Sequence, residues 1–306
     1  MADRLPVAVL VLSWNGREVL GECLASWRAS DPAPSAVLVV DNGSRDGTPE
    51  MVRERFPGVE LLVLPENVAF AAGNNAGFRA LAGRGHQAVF VCSNDTEVAP
   101  DMLGLLWGEL GVRKEWGLAA PRILFHDTRR VWFLGGRISR ATGHGWHVGY
   151  GAVDAPAGSP ETMPANGYVT GCGFLIRERV LALLSGFDEG IYMYAEDSDL
   201  CFRARKAGWD CGVVSSACMT HKVSSTVGAN SPEQLYYATR NSLAVVARHR
   251  IGLVPALWPL TVLVYAVAVM GRRLLRALFS GRPRSALAIL RGAWHFISGR
   301  MGKISP

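Results

Sequence analysis

The stretch Val37-Leu-Val-Val-Asp-Asn-Gly-Ser-Arg-Asp-Gly-Thr48 constrains the fold more than any other part of the chain. Four apolar, mostly β-branched residues predict a short buried strand. Asp41, Asn42, Gly43 and Ser44 cannot extend it and belong to a turn. Thr48-Pro49-Glu50 predicts a helix start, with a hydroxyl cap, a proline at the first position and an acid in the first turn. Strand, turn and helix make one βα unit, and in an open α/β sheet ligands sit at the carboxyl ends of the strands. Asp41 stands at such an end. It either accepts hydrogen bonds from a base or ribose or caps its own turn, and this stretch alone leaves both readings open.

The same unit recurs along the chain. Val7 to Ser13 predicts a strand, followed by Trp14-Asn15-Gly16 and by Val19, Leu20, Cys23, Leu24 and Trp27 at helical spacing. Glu60 to Leu64 predicts a third strand, with a helix from about Phe70 to Leu81 behind it. Val89 to Cys92 is a fourth strand that ends at Ser93-Asn94-Asp95-Thr96, and Pro100-Asp101 opens another helix. This alternation predicts an α/β fold, a mostly parallel central sheet with helices on both faces. From Ile123 the pattern changes, and Ala141 to Gly167 is rich in Gly and Pro without clear periodicity. Irregular chain of that length marks a functional loop or lid. Order returns with a strand from Tyr168 to Ile176, a helix to Leu184, and a helix before Gly208 that Asp197 is expected to cap.

At 306 residues, 49% hydrophobic and 19% charged, the chain is not disordered and can bury a sizeable core. No signal peptide is expected, because Met1-Ala-Asp-Arg leads directly into a strand-like run. The six cysteines form no C-x-x-C pair and predict reduced thiols in a cytoplasmic protein. The net charge of +6 is divided unevenly: the last acid is Glu233, and ten arginines and Lys303 follow it. The body up to Glu233 carries 21 basic against 26 acidic groups, beside a tail of +11. Such a tail expects an anionic partner, and its apolar content favours a membrane surface over nucleic acid. Ile251 to Met270 is twenty uncharged residues between arginines, long enough to cross a bilayer but interrupted by Pro255 and Pro259. A peripheral or re-entrant helical hairpin over 250–306 is therefore expected rather than a span.

Three acidic sites end secondary elements: Asp41, Asp95 and the cluster Glu196, Asp197 and Asp199. Asp95 follows a buried strand, where a carboxylate either holds a hard divalent cation against a diphosphate or completes a turn. Three carboxylates within four residues exceed what a helix cap needs, which leaves one for general-base work.

Val39-Val-Asp-Asn-Gly-Ser-Arg-Asp-Gly-Thr48, Glu66-Asn-Val-Ala-Phe-Ala-Ala-Gly-Asn-Asn-Ala-Gly77, Asn94-Asp-Thr-Glu97, Gly171-Cys-Gly173 and Glu196-Asp-Ser-Asp-Leu-Cys-Phe-Arg203 occur in this order. Together they resemble family 2 glycosyltransferases, especially the bacterial rhamnosyltransferase-like branch, over about residues 7 to 250. The resemblance implies a GT-A fold over 1–235, with a donor nucleotide half (about 1–120) and an acceptor half (about 121–235). Residues 236–306 remain a basic, apolar, membrane-associating helical region. The resemblance also implies that Asp41 binds a pyrimidine, completed by Ser13 and Asn15, with Asn42, Gly43, Asn67, Asn75 and Asn94 contributing to the nucleotide-sugar site. Asp95 is then the metal-binding acid for Mg²⁺ or Mn²⁺, joined by His221. Asp197 is the general base with Glu196 beside it, while Gly171, Cys172, Gly173 and Asp199 face the acceptor.

The implied activity is inverting transfer of a single sugar from a dTDP- or UDP-sugar, dTDP-rhamnose among them, to a lipid-linked or cell-envelope glycan. The implied place is the cytoplasmic side of the membrane. Two departures from the family pattern stand out: Ser93 replaces the first acid of the DxD-like motif, and Ala69 stands where many relatives carry glycine. No Q-x-x-R-W occurs, so processive synthases match less well. The alternatives are a sugar nucleotidyltransferase, which expects a Gly-rich basic loop after the first strand, and a non-catalytic nucleotide-sugar-binding protein.

Overall fold

The computed structural model describes residues 4–155, 158–223 and 231–304. The first βα units are β1 (Leu5–Ser13), α1 (Arg17–Arg28), β2 (Pro34–Asp41), α2 (Thr48–Arg55), β3 (Glu60–Val63) and α3 (Ala69–Leu81). They are followed by β4 (Ala88–Ser93), β5 (Thr96–Val98), α4 (Met102–Val112) and β6 (Trp116–Phe125). β1 pairs in parallel with β2 on one side and β4 on the other, and β2 with β3. Val7 to Val11 are fully buried, as expected of a parallel strand covered on both faces. Val9 lies opposite Phe90, whose ring packs 5.2 Å from Trp27 of α1. Its neighbour Leu10 points the other way, where a side chain at Gly77 of α3 would strike it at 2.3 Å. Helices α1 and α3 therefore cover opposite faces.

The middle of the chain adds β7 (Val131–Phe133), β8 (Gly136–Ile138), β9 (Gly145–His147), β10 (Glu161–Thr162), β11 (Gly167–Tyr168) and β12 (Gly173–Arg177). The segment expected to be one strand from Tyr168 is divided between β11 and β12, and Thr170-Gly171-Cys172 turns between them. β8, β9 and β11 make a separate three-stranded sheet, so the stretch 141–167 is partly ordered by pairing. After α5 (Glu178–Leu184) and α6 (Glu196–Lys206), the long strand β13 (Asp210–His221) returns to the main sheet. Its order is β10-β13-β6-β12-β4-β1-β2-β3, with β5 on β13 and β7 on β6. β12 runs antiparallel to both β4 and β6, whereas β13 is parallel to β6. The carboxyl ends of β1, β2, β4 and β13 thus share one edge with the amino end of β12. This is the mostly parallel sheet flanked by helices that the sequence predicts.

Two helix starts differ from expectation. Thr48 is inside α2, and Gly47 at φ +83° precedes it. The Thr48 hydroxyl donates to Asp46 Oδ1 at 2.5 Å and accepts from the Gly16 N–H at 3.1 Å, tying two turns together. Asp197 likewise lies inside α6, whose cap position is Ala195 at φ +71°. Its carboxylate faces the Gly171 N–H instead.

The C-terminal part is α7 (Pro232–Arg248), a 3₁₀ turn at Pro255–Leu257, α8 (Trp258–Val264), a π-helical turn at Tyr265–Met270, α9 (Gly271–Phe279) and α10 (Pro283–Ile297). Among the described residues no helix is long and apolar enough to cross a membrane. α7 crosses the domain boundary expected at 235. Its Arg240 and Asn241 are fully buried, and Gly292 of α10 lies so close that a side chain there would meet the Tyr236 carbonyl at 2.6 Å.

Candidate functional site

A cavity of about 480 Å³ opens at the shared edge of the sheet. Asn42, Asn67, Asn94, Asp95, Glu196 and His221 line it, with Trp14, Phe70, Trp132 and Tyr194 as aromatic walls. These residues come from the ends of β1, β2, β4 and β13, from both ends of the segment between β2 and α3, and from the start of α6. The topology therefore brings these side chains together across up to 207 residues of sequence, from Trp14 to His221.

The loops that follow β1, β2 and β4 are cross-braced by amides. Asn42 Nδ2 donates to Asn67 Oδ1 at 3.1 Å and to the Ala69 carbonyl at 3.2 Å, while Asn42 Oδ1 accepts from the Val68 N–H at 2.9 Å. Ala69 takes φ +66°, left-handed backbone that favours glycine. Gly43, at φ +76°, lets its turn pass so close that a Cβ there would lie 2.6 Å from the Glu66 backbone. Asn94 Nδ2 donates to Ser13 Oγ at 3.0 Å, and Gly16 makes room for both. Asn15 is exposed and joins loops: its N–H donates to Ser44 Oγ at 2.8 Å and its Oδ1 accepts from the Arg45 N–H at 2.9 Å. Asp41 is fully buried just beneath this wall. Its Oδ1 accepts from the Ser44 N–H at 3.0 Å, whereas Oδ2 has no partner among the described residues. A buried carboxylate oxygen without a donor is costly, and Asp41 itself is not among the residues that line the cavity.

On the opposite wall Asp95 Oδ2 lies 3.2 Å from His221 Nε2, in side chains that are only about a tenth exposed. His221 Nδ1 is buried without a partner among the described residues, and the Trp132 ring stands edge-on at 4.6 Å. His147, packed against the same Trp132, is held neutral by burial, which lowers it to about 4. Among the described residues no group of three or more His, Cys, Asp or Glu surrounds a metal position. One carboxylate and one imidazole nevertheless suit a hard divalent ion that draws its remaining ligands from phosphate oxygens and water. The orphaned His221 nitrogen is consistent with that donor set.

The acidic cluster divides by role. Glu196 lines the cavity, is 7% exposed, and has an unpartnered buried Oε2. Burial first, and the Asp197 charge second, push its carboxyl well above the usual range. Asp197 is half-buried behind it and is not among the lining residues; its Oδ2 accepts from the Gly171 N–H at 3.0 Å and its Oδ1 from the Ser198 N–H at 2.6 Å. Burial raises it, against the pull of those two N–H groups. Gly171 has no side chain because Phe70 lies 2.9 Å from where a Cβ would be. Cys172 is buried, and Gly173 starts β12 against the Met219 sulfur.

Two expected site residues belong elsewhere. Asp199 is fully buried away from the cavity, bound by Arg203 at 2.7 Å, His249 at 2.8 Å and Arg248 at 3.0 Å. It ties α6 to α7 and does not face an acceptor. Asn75 bridges α3 to the Phe187 backbone in both directions at 2.9 Å and is not among the residues that line the cavity at the sheet edge. Both are short polar side chains whose partners lie far off in sequence, so nothing local separates a brace from a ligand contact.

Sequence reasoning missed the loop that delivers Glu196. Tyr192, Tyr194 and Ala195 all take positive φ, at 69°, 63° and 71°. Asn241 Nδ2 donates to the Ile191 and Met193 carbonyls at 2.6 Å each and to the Tyr194 carbonyl at 3.2 Å. Arg240 Nη1 reaches the Gly302 carbonyl at 2.7 Å, and the Gly302 N–H returns to Gly190 at 2.7 Å. A charged and an amide side chain within the apolar pattern of α7 were the available signal.

The chain matches the family model for glycosyl transferase family 2 over residues 8–182. It is 29% identical over 258 residues to the N-acetylglucosaminyl-diphospho-decaprenol L-rhamnosyltransferase of Mycobacterium tuberculosis, covering 77% of this chain and 81% of that protein. Among solved structures it is similar to the mannosyltransferase PcManGT from Pyrobaculum calidifontis in complex with GDP-Man and Mn²⁺. There the TM-score is 0.59 and the identity 17%, over 97% of this chain and 88% of that one. GalNAc-T7 with UDP, GalNAc and Mn²⁺ aligns with TM-score 0.62 and 13% identity, over 92% of this chain and 59% of that one. At such identities these likenesses speak for the fold, which is GT-A. The family model covers more than half of the sequence, and the chain belongs to glycosyl transferase family 2.

Proposed function

We propose that this glycosyltransferase moves a single sugar, with inversion, from a nucleotide-diphospho-sugar to a polyprenyl-linked acceptor at the inner face of the cell membrane. The observation that carries the reading is the single cavity in which the Asp95–His221 pair faces Glu196, the neighbour of Asp197. The unpartnered Asp41 oxygen accepts from a pyrimidine N–H, which favours a dTDP- or UDP-sugar. Asn42, Asn67 and Asn94 hold the nucleotide-sugar across the strand ends. Asp95 and His221 are the residues that would hold Mg²⁺ or Mn²⁺, and such an ion offsets charge gathering on the departing diphosphate.

Asp197 takes the proton of the acceptor hydroxyl, aimed by the Gly171 and Ser198 N–H groups, while Glu196 presents the cavity-side oxygen of the pair. The hydroxyl oxygen bonds to the anomeric carbon from the face opposite the diphosphate, whose bond to that carbon breaks. The aromatic walls exclude water from the exchange. The Mycobacterium tuberculosis relative pairs L-rhamnosyl transfer with an N-acetylglucosaminyl-diphospho-decaprenol acceptor, which supports dTDP-rhamnose and a polyprenyl diphosphate acceptor here. The C-terminal helices expose Leu263, Leu275, Leu278, Phe279 and Ile297, Phe279 to 88%, among arginines. Apolar side chains bordered by cations support peripheral attachment to an anionic membrane.

The test is release of nucleoside diphosphate from a panel of nucleotide sugars, with and without a lipid-linked N-acetylglucosamine acceptor. Release from dTDP-rhamnose that depends on the acceptor is expected. No acceptor-dependent release from any donor would overturn the reading.

A further inference from the structure

Beside the donor cavity lies a second, of about 380 Å³, between α7 and α10. Tyr192 and Tyr237 line one side, Arg284, Leu287 and Arg291 the other, and Lys303 closes an end. Tyr192 and Glu233 line both cavities, so the two share a wall. Arg284, Leu287, Ala288 and Arg291 recur three, four and seven residues apart and form one face of α10. The two arginines are two turns apart, roughly 10 Å along the axis, with apolar side chains between them. Among the described residues that line this cavity are three cations and one acid, Glu233.

The remaining lining is apolar or aromatic. Leu287 belongs both to the cavity and to the apolar surface that α10 exposes with Leu290, Trp294 and Ile297. A bare anion has no use for that lining, and an uncharged lipid has none for the cations. A diphosphate on a long apolar chain uses both, because guanidinium groups match phosphate oxygens and the chain continues onto the exposed apolar surface.

We infer that this cavity seats the diphosphate and first isoprenyl units of the lipid-linked acceptor, with Arg284, Arg291 and Lys303 on the phosphates. The sugar of the acceptor passes Tyr192 and Glu233 into the donor cavity. This inference rests on the transferase reading above and adds to it the position of the acceptor's lipid.

Calorimetry on the full chain without donor tests it, using farnesyl diphosphate, farnesol and inorganic diphosphate as probes. Farnesyl diphosphate is expected to bind at least tenfold more tightly than either of the other two. The double variant Arg284→Ala/Lys303→Ala, at two exposed positions, is expected to weaken it at least tenfold while leaving UDP or dTDP affinity within twofold and Tm unchanged. Lys303→Glu alone provides a second reading should the double variant lose stability. Unchanged farnesyl diphosphate affinity in the folded variants overturns the inference, as does inorganic diphosphate binding equally well. An enzyme that transfers sugar while ignoring these substitutions refutes only the lipid seat. A chain that binds farnesyl diphosphate but never releases nucleotide refutes only the transferase reading.

Discussion

Asn241 and Met193 are 48 residues apart, yet the Asn241 side-chain amide donates to the Met193 carbonyl at 2.6 Å and fixes the loop from which Glu196 emerges. The same amide holds the carbonyls of Ile191 and Tyr194. Asn241→Ala removes that donor from the Met193 and Tyr194 carbonyls and from Ile191, which keeps Arg240 Nη2 at 3.3 Å, around three positive-φ residues, a loss of about 1–3 kcal/mol. We expect kcat to fall at least tenfold with donor KM within twofold. Steady-state kinetics against both substrates checks this split, and a fall confined to Tm would mark Asn241 as structural only.

Asp197→Asn is expected to lower kcat by about 10²–10⁴, the range of a lost general base, with donor binding nearly intact. Near-normal turnover would transfer the role to Glu196. Because both carboxyls are raised, the basic form is populated only above the ordinary carboxylate range. Activity should therefore rise with pH through an apparent pKa higher than about 4.3, and Glu196→Gln should leave that limb in place, because the Asp197 charge raises Glu196 and not the reverse. A pH–rate profile of the two variants measures it.

Asp95→Ala and His221→Ala are expected to weaken donor affinity when Mn²⁺ is present and to change it little in EDTA. Titration of the donor nucleotide with and without Mn²⁺ reads the difference. Equal losses in both conditions would place the two side chains on the sugar instead of the ion.

Asp199 governs acid stability. Burial alone would raise its carboxyl, but hydrogen bonds and charge from His249 and Arg203 outweigh that and pull it down to about 2. A lowered carboxylate contributes stability above its unfolded value, near 3.9, and loses it as pH falls towards the folded one. The full contribution, roughly 2–3 kcal/mol, is present at neutral pH and disappears between about pH 4 and pH 2. Asp199→Asn should lower Tm at pH 7 and flatten Tm against pH across that window, as followed by circular dichroism.

Membrane attachment is tested more cleanly by surface substitution than by truncation. Removing the residues after Arg250 would uncover α7, on whose backbone Gly292 closes and to whose Arg240 the Gly302 carbonyl is bound. Leu278→Asp/Phe279→Asp alters two side chains that are 59% and 88% exposed. It should abolish co-sedimentation with anionic vesicles at unchanged Tm. Retained vesicle binding would remove α9 from the attachment surface.

Much of this was legible from residue order because strand ends and turn chemistry are local. Val37 to Val40 can only be a buried strand, and Asp41 to Ser44 can only leave it, so the crevice and its amides follow. Asp95 and Glu196 reach one cavity because each closes or opens a regular element on the same sheet edge. The assignments of Asp199 and Asn75 to the site failed for the opposite reason. Their partners, His249 and Phe187, lie 50 and 112 residues away, and a buried brace has the same residue type as a ligand contact. Thr48 was read as a cap because Thr-Pro-Glu fits one, whereas Gly47 supplies the left-handed turn and frees the hydroxyl for Asp46. The second cavity was invisible because it needs α7 and α10 side by side, and no spacing in the tail encodes that pairing.

β12 is bonded in register to β4 at Gly173–Cys92 and to β6 at Leu175–Ala119, so a single sheet runs unbroken beneath both halves of the fold. Hinged clamshell closure has no seam along which to bend. Any closure over the cavity must then fall to loops at its rim, above a floor that stays rigid.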